Sequence, residues 1–408
     1  MSKIIGILTY HSVCNFGANL QALSTVSYFS NHGYKPIIIN WMTEELETKY
    51  KRNVPQVQYK AHASFVKDNL PVSQLCRTEE DIVNVINDNN IEAIVIGSDA
   101  VLQHHPFFSR IVFPSRRIVS ISKIGEDRLC PNPFWGSFYP LLQDKLPLCL
   151  MSASSQNSPY KAMSCKEKKE ASDLLSRFSF ISTRDDWTSN MVNWITCGKY
   201  TPRVTPDPVF AFNHNVSNQI TEGFIRNKFG IKKPYYLFSF HNSNVVTLDW
   251  LDEFQRLAES EGKLCIAMPF PEGIKFKHPF GKEIPLPLSP LEWYALIKYS
   301  SGYIGQNMHP IVVSLHNGVP CYCFDYYGVK KMRFFVNTKS SKVYHIMNKF
   351  ETLANWVSCS SLTYKVPSPK KVLDLLNKYD VIKTQRIAKS YLDEYLQMMK
   401  EIETICCK

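Results

Sequence analysis

Between Ser300 and Gly328 the chain reads SSGYIGQNMHPIVVSLHNGVPCYCFDYYG, and these 29 residues hold a strand, a polar loop, a helix and a second strand. Gly302 to Gly305 is a short apolar run. The polar residues Gln306 and Asn307 follow, then Met308, His309 and Pro310, then Ile311, Val312, Val313 and Leu315 at helical spacing, and then Gly318. A strand, a helix and a second strand in succession point to an α/β fold. Proline is favoured at the first helical position, where its missing N–H costs nothing. That makes His309 the expected N-cap and Gly318 the residue just past the helix. His309 then stands where open α/β sheets bind ligands. A helix N-terminus favours an anion, here a phosphate or a carboxylate. A lone histidine at a helix start is more often just a cap.

The same alternation runs through the rest of the chain. Lys3–Tyr10, helix Ala18–Asn31 and Pro36–Trp41 read as a βαβ unit, and its connecting loop has one glycine and no dinucleotide fingerprint. Asn15 lies in that loop and Gln21 in the helix that follows. Thr78 with Asp81 forms a capping box for a helix to about Asn90, and the strand Ile91–Ile96 ends in Gly97-Ser98-Asp99. Asp99 and Ser98 are therefore site candidates, with a turn cap as the other reading of Asp99. Residues 103–146 read as irregular. The strand Leu146–Met151 follows, then a capped helix from Ser164, and then the strand Ser179–Thr183, which delivers Arg184. A guanidinium at a strand end is a natural clamp for a carboxylate or phosphate, and it suits pairing with Asp185 or Asp186 equally.

The alternation restarts after Asn213-His214-Asn215 with strand Tyr235–Phe240, which brings His241 and Asn242 to its end. We expect an N-terminal Rossmann-like domain over 1–214, a second over 215–366 carrying His309, and a helical tail over 367–408 that braces the two. Their strand-end loops would line the cleft between them.

Composition narrows the setting. The 12 cysteines form no CxxC pair and most sit singly in apolar segments, which argues for reduced core thiols in a cytoplasmic protein and against a zinc ribbon. The opening MSKIIGILTYHS reads as a strand and not as a leader, and no apolar run reaches membrane-spanning length. A formal charge of +11 attracts anions, but no basic-aromatic stripe accompanies it. Nucleic acid is thus a poor reading, and a diphosphate or an anionic membrane surface suits the charge as well.

Taken together, the motifs resemble the polysaccharide pyruvyl transferase family. The segments that carry the likeness are Gly6–His11 with Asn15–Gln21, Val95–Asp99, Ser182–Asp185, Asp207-Pro208-Val209, and Met308-His309 leading to Asn317–Pro320. They come in the family's order over roughly residues 3 to 330. The resemblance implies two Rossmann-like lobes similar to GT-B glycosyltransferases. It also implies transfer of a pyruvyl group from phosphoenolpyruvate to two hydroxyls of a sugar, giving a cyclic ketal and phosphate. On that basis His309 is the expected acid and Asp99 orients or deprotonates a hydroxyl. Arg184 holds the donor, and Asn15, Gln21, Ser98, Asn307 and Met308 complete the binding set. Neither a metal nor a cofactor is implied, and the expected acceptor is a sugar on a lipid diphosphate at the inner membrane face. The family's arginine two residues before the histidine is Asn307 here, so another cation such as Lys330 or Lys331 must substitute, or the donor binds weakly or differs. The rival expectations are a GT-B glycosyltransferase using a nucleotide sugar, and a catalytically silent glycan-binding relative.

Overall fold

The computed structural model describes residues 2–407 apart from 116–117, 242–244, 332–334 and 361–363. Asn242 thus lies outside the described residues, as do the side chains of Lys330 and Lys331.

Runs of Ile, Leu and Val too short for a helix and buried on both faces become parallel strands, because only a sheet covered on both sides can hold them. In the first lobe these are β1 (Ile4–Leu8), β2 (Lys35–Trp41), β3 (Val72–Cys76) and β4 (Ala93–Asp99), then a separate hairpin β5 (Ile111–Ser115) and β6 (Ile118–Ile121), then β7 (Leu148–Ala153), β8 (Phe180–Thr183) and β9 (Arg203–Val204). The main sheet runs β3-β2-β1-β4-β7-β8-β9 and every pair in it is parallel. Its order reverses between β1 and β4, which pair with Ile7 opposite Val95.

The second lobe repeats the plan with β10 (Tyr235–Ser239), β11 (Leu264–Ala267), β12 (Gly302–Gly305) and β13 (Cys321–Asp325). Then come a small pair, β14 (Val329–Lys331) and β15 (Phe335–Asn337), and finally β16 (Trp356–Ser358). The five-stranded sheet is β11-β10-β12-β13-β16, again all parallel, and its reversal falls between β10 and β12. Ligands bind outside the carboxyl ends of such strands at the reversal, so each lobe presents one such crevice.

Helix packing holds the crevices face to face. Helix Phe16–Asn31 of the first lobe packs against helix Pro290–Lys298 of the second, with Phe16 stacked on Trp293 at 5.4 Å between ring centroids. The last helix, Val381–Cys406, touches both lobes. Lys349 pairs with Glu394 and Lys383 with Glu351 on one side; on the other, Arg203 pairs with Glu401 and the Lys3 ammonium donates to the Cys406 carbonyl. Met398 and Ile402 are buried on that helix.

Most expected elements form, with capping boxes at Thr78–Asp81, Ser164–Glu167 and Ser289–Glu292. Three expectations need correction. Residues 103–146 hold the β5–β6 hairpin and several 3-10 turns, and helices Glu44–Asn53 and Gln56–Asn69 were not foreseen. The helix after β12 spans Met308–Asn317 with Asn307 at its N-cap, so His309 lies inside the first turn and is not the cap. A proline is tolerated at the third helical position as well as the first, because no N–H in the first turn has an intrahelical partner. Gly318 does close the helix, in the left-handed region at φ 69°.

Candidate active site

A cavity of about 330 Å³ opens where the two crevices meet. Asn15, Phe16 and Gly17 after β1 and Asp99, Ala100 and Gln103 after β4 line it from the first lobe. His241 after β10 and Asn307, Met308 and His309 after β12 line it from the second, joined by Lys342. Asn15 is the N-cap of helix Phe16–Asn31, its side-chain oxygen accepting from the Ala18 N–H at 3.2 Å, and the residue is exposed to the cleft.

Glycine at position 17 is required by this meeting of lobes. A Cβ placed there would overlap the imidazole ring of His309. The ring therefore lies against bare backbone at the start of the opposite lobe's first helix. Its Nε2 is shielded from solvent and has no hydrogen-bond partner among the described residues. Burial pushes the imidazole down to about 4; Asp99 and Asp207 oppose the shift, while Arg184 and Lys342 add to it. His309 is accordingly neutral near pH 7 in the empty cleft.

Beneath His309 lies a buried ionic cluster. Arg184 donates through Nη1 to Asp207 at 2.7 Å and sits 3.5 Å from Asp99 through Nη2. Gln21 donates to the same Asp207 carboxylate, and that carboxylate caps the Val209 N–H. Burial of Asp99 favours its neutral form, yet the charges of Arg184 and Lys342, and of His309 when protonated, outweigh it and hold the carboxyl below its ordinary value. Burial likewise works against the Arg184 charge, and Asp207 and Asp99 overcome it, so its pKa is raised. Its Nε has no hydrogen-bond partner among the described residues.

The sequence candidates therefore separate by depth. His309, Asp99, Asn15, Asn307 and Met308 line the cleft. Arg184 and Gln21 lie behind it, 4% and 1% exposed, fixing Asp99 and Asp207 from below. The partners of Arg184 are Asp207 and Asp99, and not the adjacent acids; Asp185 instead caps helix Asp186–Ile195. Ser98 is also behind the wall, 1% exposed, with its hydroxyl donating to the Ser152 carbonyl at 2.7 Å. That bond ties the hydroxyl proton to the sheet, behind the wall of the cleft.

Where the resemblance places an arginine, Asn307 is tied to His241, its side-chain oxygen 3.0 Å from Nε2. His241 in turn stacks on Phe270 at 3.9 Å. A cation arrives from elsewhere: Lys342, the first residue of helix Lys342–Lys349, lines the cleft at 8% exposure with its ammonium 5.1 Å from the Tyr327 ring centroid. Burial pushes it down to about 8, Arg184 adds to the shift, and Asp99, Asp185 and Asp207 oppose it. Glu272 also lines the cleft, and burial raises its carboxyl above the usual range. Neither residue could be found in the sequence. Lys342 follows two serines in an unremarkable stretch, and only the packing of its helix against the site brings it in. Among the described residues no group of three or more His, Cys, Asp or Glu is arranged to hold a metal ion.

The arrangement can bind an anion beside an aromatic acid–base group and a fixed carboxylate. Comparison with known proteins agrees with the architecture. A family model described as polysaccharide pyruvyl transferase matches residues 15–327. No curated protein matches the chain. Among solved structures, it resembles the UDP-N-acetylglucosamine 2-epimerase from Rickettsia bellii at TM-score 0.52 and 11% identity, covering 100% of this chain and 97% of that one. It also resembles UGT89C1 of Arabidopsis thaliana, solved with quercetin, at TM-score 0.50 and 8% identity, with 100% of each chain covered. At such identities the likeness is one of fold, two Rossmann-like lobes of the GT-B type facing a cleft, with the helix Val381–Cys406 returning across them.

Proposed function

Because the chain belongs to the polysaccharide pyruvyl transferase family, we propose that it moves a pyruvyl group from phosphoenolpyruvate onto two hydroxyls of a sugar in a cell-surface polysaccharide precursor. The products are a cyclic ketal and phosphate. The observation that carries this reading is the convergence of His309, Asp99 and Lys342 on one cavity, with Arg184 locked beneath them.

The reaction adds a proton to the methylene carbon of the enol, leaving an oxocarbenium centre at the carbon that bears the phosphate. The first sugar hydroxyl attacks that carbon and gives up its proton. Phosphate then leaves, and the second hydroxyl closes the ring. Of the two hydroxyl protons, one balances the new methyl group and the other the phosphate.

In this scheme Lys342 faces the negative donor, and His309 carries the proton. An imidazole near 4 is a poor proton reservoir at neutral pH. A bound phosphate and carboxylate would raise its pKa, because nearby anions favour the charged form. Donor binding would thus arm the acid. Asp99, held ionised by its cationic neighbours, is placed to accept a hydroxyl proton or to orient the hydroxyl. Arg184 serves this role at one remove, as a positioning residue that fixes Asp99.

The test is calorimetric titration of the full chain with phosphoenolpyruvate and, separately, with a nucleoside diphosphate. Saturable phosphoenolpyruvate binding that Lys342→Met weakens, with ketal formation abolished in a folded His309→Ala variant, is the expected result. Binding of the nucleotide alone would move the assignment to a nucleotide-sugar glycosyltransferase.

A further inference from the structure

The segment between Gln103 and Arg128 leaves the cleft wall and returns to it, since both of those residues line the cavity. What it builds in between is unlike the rest of the surface. Phe108 is 61% exposed, Val119 63% and Ile121 51%, with Phe107 and Val112 also exposed. Val119 and Ile121 share one face of β6, while Val112 pairs with Ser120 and so projects from the other face of the hairpin. The hairpin thus offers apolar side chains on both sides. A soluble surface rarely gathers so many without a partner.

Charge points to the kind of partner. From Ala100 to Gly125 the sequence contains Arg110, Arg116, Arg117 and Lys123 and no acidic residue. The Arg110 guanidinium lies 5.7 Å from the Phe107 ring centroid, and Lys123 is exposed. Arg110 and Lys123, set among exposed aromatic and β-branched side chains, match an anionic bilayer surface, where headgroups take the charge and the acyl boundary takes the rings. A second copy of the hairpin would bring like charges together.

We propose that this hairpin, with the turn Phe107–Arg110 at its base, docks the protein on an anionic lipid surface with the cleft mouth beside it. A sugar carried on a membrane lipid would then be presented to the cavity. That link to the acceptor rests on the function proposed above; the docking does not.

The experiment is co-sedimentation of the full chain with vesicles of phosphatidylglycerol and phosphatidylcholine, and with phosphatidylcholine alone. The native protein should bind the anionic vesicles and release at about 0.5 M salt, where charges are screened beyond a few ångströms. The combined variant Phe108→Ser, Val119→Ser, Ile121→Ser should keep the native melting temperature and bind at least about tenfold more weakly. Lys123→Glu should weaken binding to the anionic vesicles only. Absence of vesicle binding, or undiminished binding by the triple variant, overturns the proposal. So does a native dimer that the triple variant converts to monomer, because the hairpin would then cover a second copy. Phosphoenolpyruvate titration on the same samples separates the two readings: donor binding without vesicle binding sinks only the docking, and the converse sinks only the donor.

Discussion

The imidazole of His309, in the second lobe, rests on the bare backbone of Gly17 in the first, so that a single methyl group on the glycine would occupy the ring's place. The reactive position is thus made by both lobes at once. Neither lobe alone holds it.

Substituting Gly17 by Ala is therefore a test of the site that leaves the rest of the chain intact. The new methyl group must push the ring out of position, and a shift of about 1 Å at a reacting group commonly costs on the order of a hundredfold in rate. We expect turnover to fall by about that factor while the circular dichroism spectrum and melting temperature stay close to native. Full activity in the variant would remove His309 from the reaction.

Lys342 makes donor affinity depend on alkaline pH. Its ammonium is pushed down to about 8 by burial, so the charge that attracts an anion is complete below that pH and lost as pH rises through it. Phosphoenolpyruvate should bind with steady strength at pH 7 and progressively more weakly above pH 8. Calorimetry across this range should show the decline in the native protein and none in Lys342→Met, whose affinity is low throughout.

The same lysine costs stability. Its folded pKa lies below the unfolded value, so between about pH 8 and 10.5 the unfolded chain binds more protons and native stability rises with pH. Below that window the burden is fully present, on the order of 3 kcal/mol. Lys342→Met should therefore melt several degrees higher than the native protein at pH 7 while losing donor affinity. A lower melting temperature would show that the ammonium is stabilised by its acidic neighbours beyond what burial costs.

Asn307→Arg should tighten phosphoenolpyruvate binding. The position lines the cleft, and a charge-assisted contact contributes about 1.5 to 3 kcal/mol, or roughly tenfold to a hundredfold in affinity. The change breaks the hydrogen bond to His241, so an unchanged or weaker affinity would mean that the pair, and not the missing charge, sets how the donor sits.

Arg184→Ala is expected to act on folding before it acts on chemistry. It leaves Asp99 and Asp207 buried without their counter-charge, and breaking such a pair costs about 3 to 5 kcal/mol. The urea midpoint should fall sharply. A variant with native stability would show that the guanidinium is not the anchor of the cluster.

The sequence conveyed the fold well because parallel strands and capped helices are local signals. Apolar runs such as Ile91–Ile96, which the structure places in β4 (Ala93–Asp99), and caps such as Thr78–Asp81, which forms where expected, depend only on near neighbours. The site was half legible for the same reason. Asp99 ends its strand and His309 lies in the first turn of the helix after its own, so both could be marked. What escaped notice was set by contacts distant in sequence: Lys342 enters by way of helix packing, and the depth of Arg184, Gln21 and Ser98 follows from partners 23 to 186 residues away. Proline misled in a specific way, because a missing N–H marks a helix's first turn without saying which residue of that turn it occupies.

The return of helix Val381–Cys406 across the first lobe has a consequence for how the chain is made. Ribosomal synthesis delivers the seven strands of the first sheet long before Met398, Ile402 and Cys406 emerge to cover its neighbourhood. Throughout translation of the second lobe, the first must wait with apolar surface uncovered, a client for chaperones and a target for premature association. Slow codons or a stalled ribosome after residue 380 would prolong that exposure, so yield in a heterologous host should respond to translation speed and chaperone supply more than to the stability of the finished protein.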